Sequence, residues 1–279
     1  MVLSPPLEPV AFGLMVAVAM VGIPHGGLDH RFGRVILRPR FGPMWWLVFL
    51  AGYLSVAGVV IAGWFLMPAI TVVLFFVISA WHFGDKHDGR QPLNVVLGGM
   101  VIWIPLLFRP NEVTGLLYCV IPNGNLEQVG AGVKMAQPLL WSIAIFFIGC
   151  LLFEVSVDAV GRKVAFAILF ATLPTLASFT LYFCGWHSMR ELAGLANQAD
   201  PSRPWRGLRL VLLAAAPMSA MAVLATAFVA AVFAGDRELE PVLVQAVFLG
   251  LSAVAVPHIL LQEVVRLRGV NPFQPESMS

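Results

Sequence analysis

Charge is what this chain has least of. Only 11% of its 279 residues are Asp, Glu, Lys or Arg, while 59% are apolar, and a soluble domain carries about a quarter charged residues. So few charges exclude an ordinary water-exposed surface and point to an integral membrane protein. The net charge of +2 is too small to suggest a nucleic-acid partner. Cysteine is scarce as well: Cys119, Cys150 and Cys184 have no metal-type spacing, which leaves buried thiols as their reading. The N-terminus lacks a basic region, and its first apolar run holds Pro24, His25 and Asp29 in place of a small-residue cleavage site. It therefore reads as a first transmembrane helix and not as a signal peptide. Neither a linker nor an internal repeat divides the chain, so one helical domain over residues 1–279 is expected.

What the chain has in abundance is long apolar runs, at 9–27, 45–67, 69–83, 93–108, 139–157, 164–186, 208–234 and 242–261. Several reach the ~20 residues that a helix needs to cross a bilayer; those at 69–83, 93–108 and 139–157 are short. The fold class expected is all-α, a polytopic membrane bundle of seven to nine apolar segments. Between Arg109 and Gln137 lies the most polar stretch. It contains a short apolar piece, 113–121, and then Pro122, Asn123, Gly124 and Asn125, which should stop any helix.

Histidine is rare but placed with order. His25, His82, His187 and His258 each sit near the C-terminal end of an apolar run, with a carboxylate a few residues on: Asp29, Asp85, Glu191 and Glu263 respectively. An ionisable side chain in hydrocarbon is expensive, so one that persists there usually faces the interior and has a partner. Neutral imidazole suits iron, zinc and copper, and a carboxylate on the second ring nitrogen orients the ring. The grouping reads as one metal site assembled from four helices, with His25, His82, His187 and His258 as ligands and Asp29, Asp85 and Glu191 as further site residues. His187 and Glu191, four apart, lie on one face of a regular helix and so can both reach one ion. His30 and His87 read as interfacial or hydrogen-bonding residues.

Four ligands share a metal only if their helix ends lie on one side of the membrane. Simple alternation of the runs fails this, because it separates His25 and His82 from His187 and His258. An odd number of crossings, with the irregularity between residues 93 and 157, repairs it. The positive-inside rule agrees: simple alternation leaves the basic residues unbiased, whereas an odd count gathers most of them, including Arg31, Arg34, Arg38 and Arg40, on one side. The expected orientation places the N-terminus outside, and the C-terminus and the histidine-bearing ends in the cytoplasm, in a bacterial inner membrane.

Four motifs carry a family likeness: Pro24-His25-Gly26 with Asp29, His82-Phe83-Gly84 with Asp85, Trp186-His187-Ser188 with Arg190, and Pro257-His258. In this order on these runs the chain resembles the bacteriorhodopsin-related-protein (Brp/Blh) family of membrane β-carotene 15,15′-dioxygenases. The resemblance implies an Fe(2+) oxygenase that splits the central double bond of a carotenoid with O2 to give retinal-type aldehydes, its substrate entering sideways from the bilayer. It matches His25, His82 and His187 to the family's ligands. Where the family pattern has a second histidine four residues after the one at His187, this chain has Glu191. Either Glu191 binds the metal, or it recedes and His258 completes the set. Phe75, Phe76, Trp81 and Phe83 around His82, and Tyr182, Phe183 and Trp186 before His187, are the natural lining for a polyene.

Rival classes are a membrane lipid hydroxylase or desaturase, a haem-binding carrier, and a metal or proton transporter. The first would want repeated H-x-x-x-H and H-x-x-H-H clusters, and this chain has six histidines and no adjacent pair. A transporter would want polar groups at both faces, and a haem carrier would want histidines paired at matched depth.

Overall fold

The computed structural model describes residues 18, 26–84, 91–121, 125–154, 156–234, 239–269 and 271–273. Among them the regular structure is helical throughout. In chain order the helices are α1 (Asp29–Phe41), α2 (Trp45–Leu66), α3 (Pro68–Phe83), α4 (Gln91–Gly98), α5 (Met100–Phe108), α6 (Pro110–Val120), α7 (Leu126–Leu152), α8 (Val157–Thr172), α9 (Thr175–Tyr182), α10 (Met189–Ala199), α11 (Pro204–Ala234) and α12 (Leu239–Arg268). A short 3-10 turn, Gly42–Met44, joins α1 to α2, and a π-helical segment, Phe183–Ser188, joins α9 to α10.

Among the described residues four stretches are long and apolar enough to cross a membrane: Asp29–Leu66, Leu126–Leu152, Pro204–Ala225 and Val244–Arg268. Their outward faces are apolar. Along α2 only Trp64 is buried, and Leu54, Val59 and Leu66 stand exposed. A water-facing helix of this kind would be insoluble, so the surface it presents is a lipid-facing one. The chain is a membrane protein of the all-α class.

Proline and glycine divide some of the apolar runs. The run at 164–186 is not one helix: it breaks between α8 and α9 at Leu173 and Pro174, because proline has no N–H to donate and disfavours helical backbone in the residue before it. The run at 93–108 is divided into α4 and α5 at Gly99. Conversely, most of the run at 139–157 forms the second half of a 27-residue helix, α7, which starts far upstream at Leu126 and ends at Leu152. Asn125 caps that start, accepting from the N–H groups of Glu127 and Gln128, so the turn-rich cluster ends α6 and begins α7 as its composition predicts.

The described residues form two compact units, each made of segments distant in the chain. One comprises α3 to α9 with the last residues of α2 and the first of α12. Its core gathers Met100, Trp103, Ile104, Leu140, Phe147 and Phe170. The polar groups freed by its prolines are satisfied from neighbouring helices. Pro110 cannot donate to the carbonyl of Leu106, and Gln137 on α7 supplies the missing donor at 2.8 Å. At the α8–α9 break, Arg109 donates to the carbonyl of Thr172, and Glu112 accepts from the N–H and hydroxyl of Thr175 at 2.9 Å each. Both orphaned helix ends are thus covered by one ion-paired side-chain couple at the start of α6.

Glycine sets the approach of α3 to α4. A methyl group on Gly84 would lie 2.5 Å from the carbonyl oxygen of Asn94, and one on Gly98 would collide with the backbone of Ala80 and Gly84. The two helices touch backbone to backbone beside His82, a closeness that only small residues permit.

The second unit comprises α1, most of α2, the π-helical segment, α10, α11 and most of α12. Its core is Leu28, Phe32, Leu192, Leu195, Val211, Ala215 and Val265. Gly27 nestles against α11, where a methyl group would lie 2.7 Å from Ala215 and Ser219.

Gln137→Leu should lower stability by about 1 kcal/mol, the scale of a carbonyl left unpaired in apolar surroundings, read as a lower midpoint of thermal unfolding in detergent. Gly98→Val should cost more, about 2 kcal/mol or above, because backbone must move to make room, and it should reduce the yield of folded protein from membranes.

Candidate functional site

Asp29 is the first residue of α1 and one of the most completely buried polar residues of the chain, 2% exposed. A carboxylate withdrawn from solvent to that degree needs partners. It has two. Oδ1 lies 2.8 Å from Nδ1 of His258, itself buried, and Oδ2 lies 3.0 Å from the hydroxyl of Tyr53. The α1 N-terminus adds its own favourable dipole. Tyr53 also reaches the carbonyl oxygen of Val254 at 3.0 Å, one turn before His258 on α12.

The partner fixes the tautomer. A carboxylate accepts, so Nδ1 of His258 carries the proton and donates, and the lone pair sits on Nε2. An imidazole held in this way is the usual form of a metal-bound histidine, in which a carboxylate orients the ring and raises its basicity. The chemistry of this donor therefore fits a divalent metal of the zinc or iron kind. A methyl group placed on Gly26 would lie 3.5 Å from Nδ1 of this ring, an ordinary contact.

Local spacing in the sequence pairs these acids differently. It joins Asp29 to His25 and Glu263 to His258, but the structure joins Asp29 to His258, and Glu263 accepts from Arg266 at 2.8 Å. Five residues along a helix is a turn of about 140° from the starting face, so Glu263 points away from its nominal partner. Tyr53 has no local signal at all. It sits in an apolar run, and its partners lie 24 and 201 residues away; a hydroxyl in a membrane span is the single hint the sequence carries.

His187 is buried in the π-helical segment, its ring stacked on that of Phe183 at 5.9 Å between centroids and 14° between planes. π-Helical turns are rare and are found mostly at functional sites. Glu191, four residues on, is exposed on α10, so the shared face expected of a regular helix does not give the two side chains a shared environment. His30 donates from Nδ1 to the carbonyl of Gly27 at 3.0 Å and so braces the turn before α1.

In the other unit His82 is half-buried on the last turn of α3, its ring 5.7 Å from that of Phe83. Phe83 meets Tyr182 edge-on at 5.7 Å, and Tyr182 meets Phe166 and Phe170 in the same manner at 5.2 and 5.4 Å. Of the aromatic residues expected to line a polyene, Phe83 and Tyr182 thus belong to one packed cluster. Phe75 and Phe76 are half-buried, Phe183 is buried, and Trp81 and Trp186 are exposed. His25 and Asp85 lie outside the described residues. Among the described residues no three His, Cys, Asp or Glu side chains gather closely enough to hold a metal ion.

Comparison with known proteins extends these observations to the whole chain. Residues 16–266 match the family model described as beta-carotene 15,15′-dioxygenase. The beta-carotene 15,15′-dioxygenase of an uncultured marine bacterium, 66A03, is 25% identical over 283 aligned positions that cover 94% of each protein. The probable beta-carotene 15,15′-dioxygenase Blh of Halobacterium salinarum is 25% identical over 220 positions, 67% of this chain and 63% of that protein. No solved structure matches. With the family model spanning nearly the full length, and with the buried histidine and its carboxylate on motifs within that span, the chain belongs to the beta-carotene 15,15′-dioxygenase family.

Proposed function

We propose that this protein cleaves the central double bond of a carotenoid of the β-carotene type with O2, giving retinal-type aldehydes, at an iron(II) centre. Family membership supports carotenoid cleavage. The observation that carries the metal is the buried Asp29–His258 pair, because it leaves a lone pair on Nε2 of an oriented imidazole in an apolar interior.

His25, His82, His187 and His258 are the proposed iron ligands. Of the two candidates to complete the set, His258 is supported over Glu191: it is buried and held by a carboxylate, whereas Glu191 is exposed. Iron(II), when bound, supplies the activation of O2 that no amino-acid side chain provides. The chain's own part is positioning and exclusion of water. Asp29 holds the His258 ring through Nδ1 and stays in place through Tyr53. Phe183 stacks on His187 and limits its rotation. The glycine contact of α3 with α4 sets the helix end that bears His82. The aromatic cluster around Phe83 and Tyr182 packs behind the helix end that bears His82, and the lipid-facing surface lets so insoluble a substrate arrive from the bilayer.

Cleaving one C=C bond with one O2 to two aldehydes places both oxygen atoms in products and requires no outside reductant. A hydroxylase or desaturase, which reduces oxygen to water, would require two electrons from a partner.

Expression in bacteria that make β-carotene should bleach the cells and yield retinal by chromatography. His82→Ala, His187→Ala and His258→Ala should each abolish retinal and lower the iron content of the purified protein, and Glu191→Ala should retain most of both. Asp29→Asn should reduce activity or metal affinity by about ten- to a hundredfold, the usual effect of removing a carboxylate behind a ligand histidine. A folded, iron-loaded chain that forms no retinal would sink the carotenoid assignment, and full iron content in the histidine variants would sink the proposed ligand set.

A further inference from the structure

We infer that Tyr53 is a positioning residue for the metal centre, acting through Asp29 on His258. The inference rests on the functional reading above and adds to it a residue that lies in an apolar run, far from every histidine motif.

The geometry is specific. The Tyr53 hydroxyl stands 3.0 Å from Oδ2 of Asp29 and 3.0 Å from the carbonyl oxygen of Val254. Both oxygens accept, and the phenol has one hydrogen, which the two share. Oδ1 of Asp29, the other carboxylate oxygen, meets His258 at 2.8 Å. Tyr53 therefore grips the His258 assembly at two points, the carboxylate behind the ring and the backbone one turn before it. That turn contains Pro257, which removes an N–H from α12 and loosens the helix where His258 emerges. A bond from α2 to the Val254 carbonyl stiffens the weakened turn, and the bond to Oδ2 stops the carboxylate from rotating away from the ring. Neither bond is needed to bury the phenol: its ring already packs on Phe49, 5.5 Å between centroids. A phenylalanine at 53 would keep that packing and lose the oxygen alone.

Such a role predicts coupling with the metal, where a purely structural hydroxyl would change stability only. The test uses Co(II), whose absorption bands report ligand geometry, titrated into metal-free full-length protein in detergent. Tyr53→Phe should weaken Co(II) affinity about tenfold, the lower end of what removal of an outer partner costs, and should alter the bands. Asp29→Ala should weaken it further, and adding Tyr53→Phe to Asp29→Ala should change affinity little more, because Tyr53 acts through Asp29. Unchanged affinity and bands in Tyr53→Phe would overturn the inference, as would a loss that adds in full to that of Asp29→Ala.

If Tyr53→Phe does not fold, the unmutated sequence still decides. Its three tyrosines can be replaced by 3-fluorotyrosine, and the fluorine resonance of residue 53, assigned by elimination with phenylalanine at the other two positions, should move on adding Zn(II). A resonance that does not move would overturn the inference. His258→Ala is the control that separates the two levels of argument. Wild-type Co(II) affinity in that variant would overturn the metal reading and this inference with it, whereas a deficient His258→Ala beside a normal Tyr53→Phe would overturn the role of Tyr53 alone.

Discussion

In an apolar interior no polar group can fall back on water, and this constraint organises the chain from its turns to its site. A backbone carbonyl that loses its helical donor to a proline must find another, and a carboxylate must find hydrogen-bond donors. Gln137 answers for Leu106, and Arg109 with Glu112 for the break at Pro174. Tyr53 and His258 answer for Asp29. Each solution ties together elements that are distant in sequence, so the bonds that relieve local deficits also join the helices within each unit.

The same rule links fold to function. In the proposed centre a ligand histidine wants a carboxylate on its far nitrogen, and a buried carboxylate wants donors, so the bonds that satisfy Asp29 also orient the His258 imidazole. Small residues serve beside it. Gly27 lets the turn before α1 approach α11, and Gly84 and Gly98 bring α3 against α4 at the end that carries His82. Bulk at Gly84 or Gly98 would press on the end of α3 that carries His82, and bulk at Gly27 would press on α11.

Much of this was legible in the chain. The runs at 45–67 and 69–83 are α2 and α3 within a residue or two, and the Asn125 cluster marks the start of α7. The helix at 126–152 and the split at Pro174 were less so. In the first, Lys134, Gln137 and Pro138 dilute the apolar signal of a helix that is real. In the second, hydropathy averages straight across a single proline. The π-helical segment was not legible, because a helix that widens for one turn leaves the composition unchanged. Nor does the four-residue spacing of His187 and Glu191 reveal that the first is buried and the second exposed.

By itself the sequence determined that this is a helical membrane protein of a carotenoid-cleaving family, and that its few histidines recur at the ends of apolar runs. Those properties follow from composition and from order along the chain, which folding does not alter. Only the tertiary structure decided which acid serves which histidine. Asp29 stands four residues from His25 and 229 from His258, and it is His258 that it meets at 2.8 Å; Glu263, five residues from His258, turns to Arg266 instead. A hydrogen bond depends on distance and direction in space, and those are settled by helix packing, which separation along the chain does not encode.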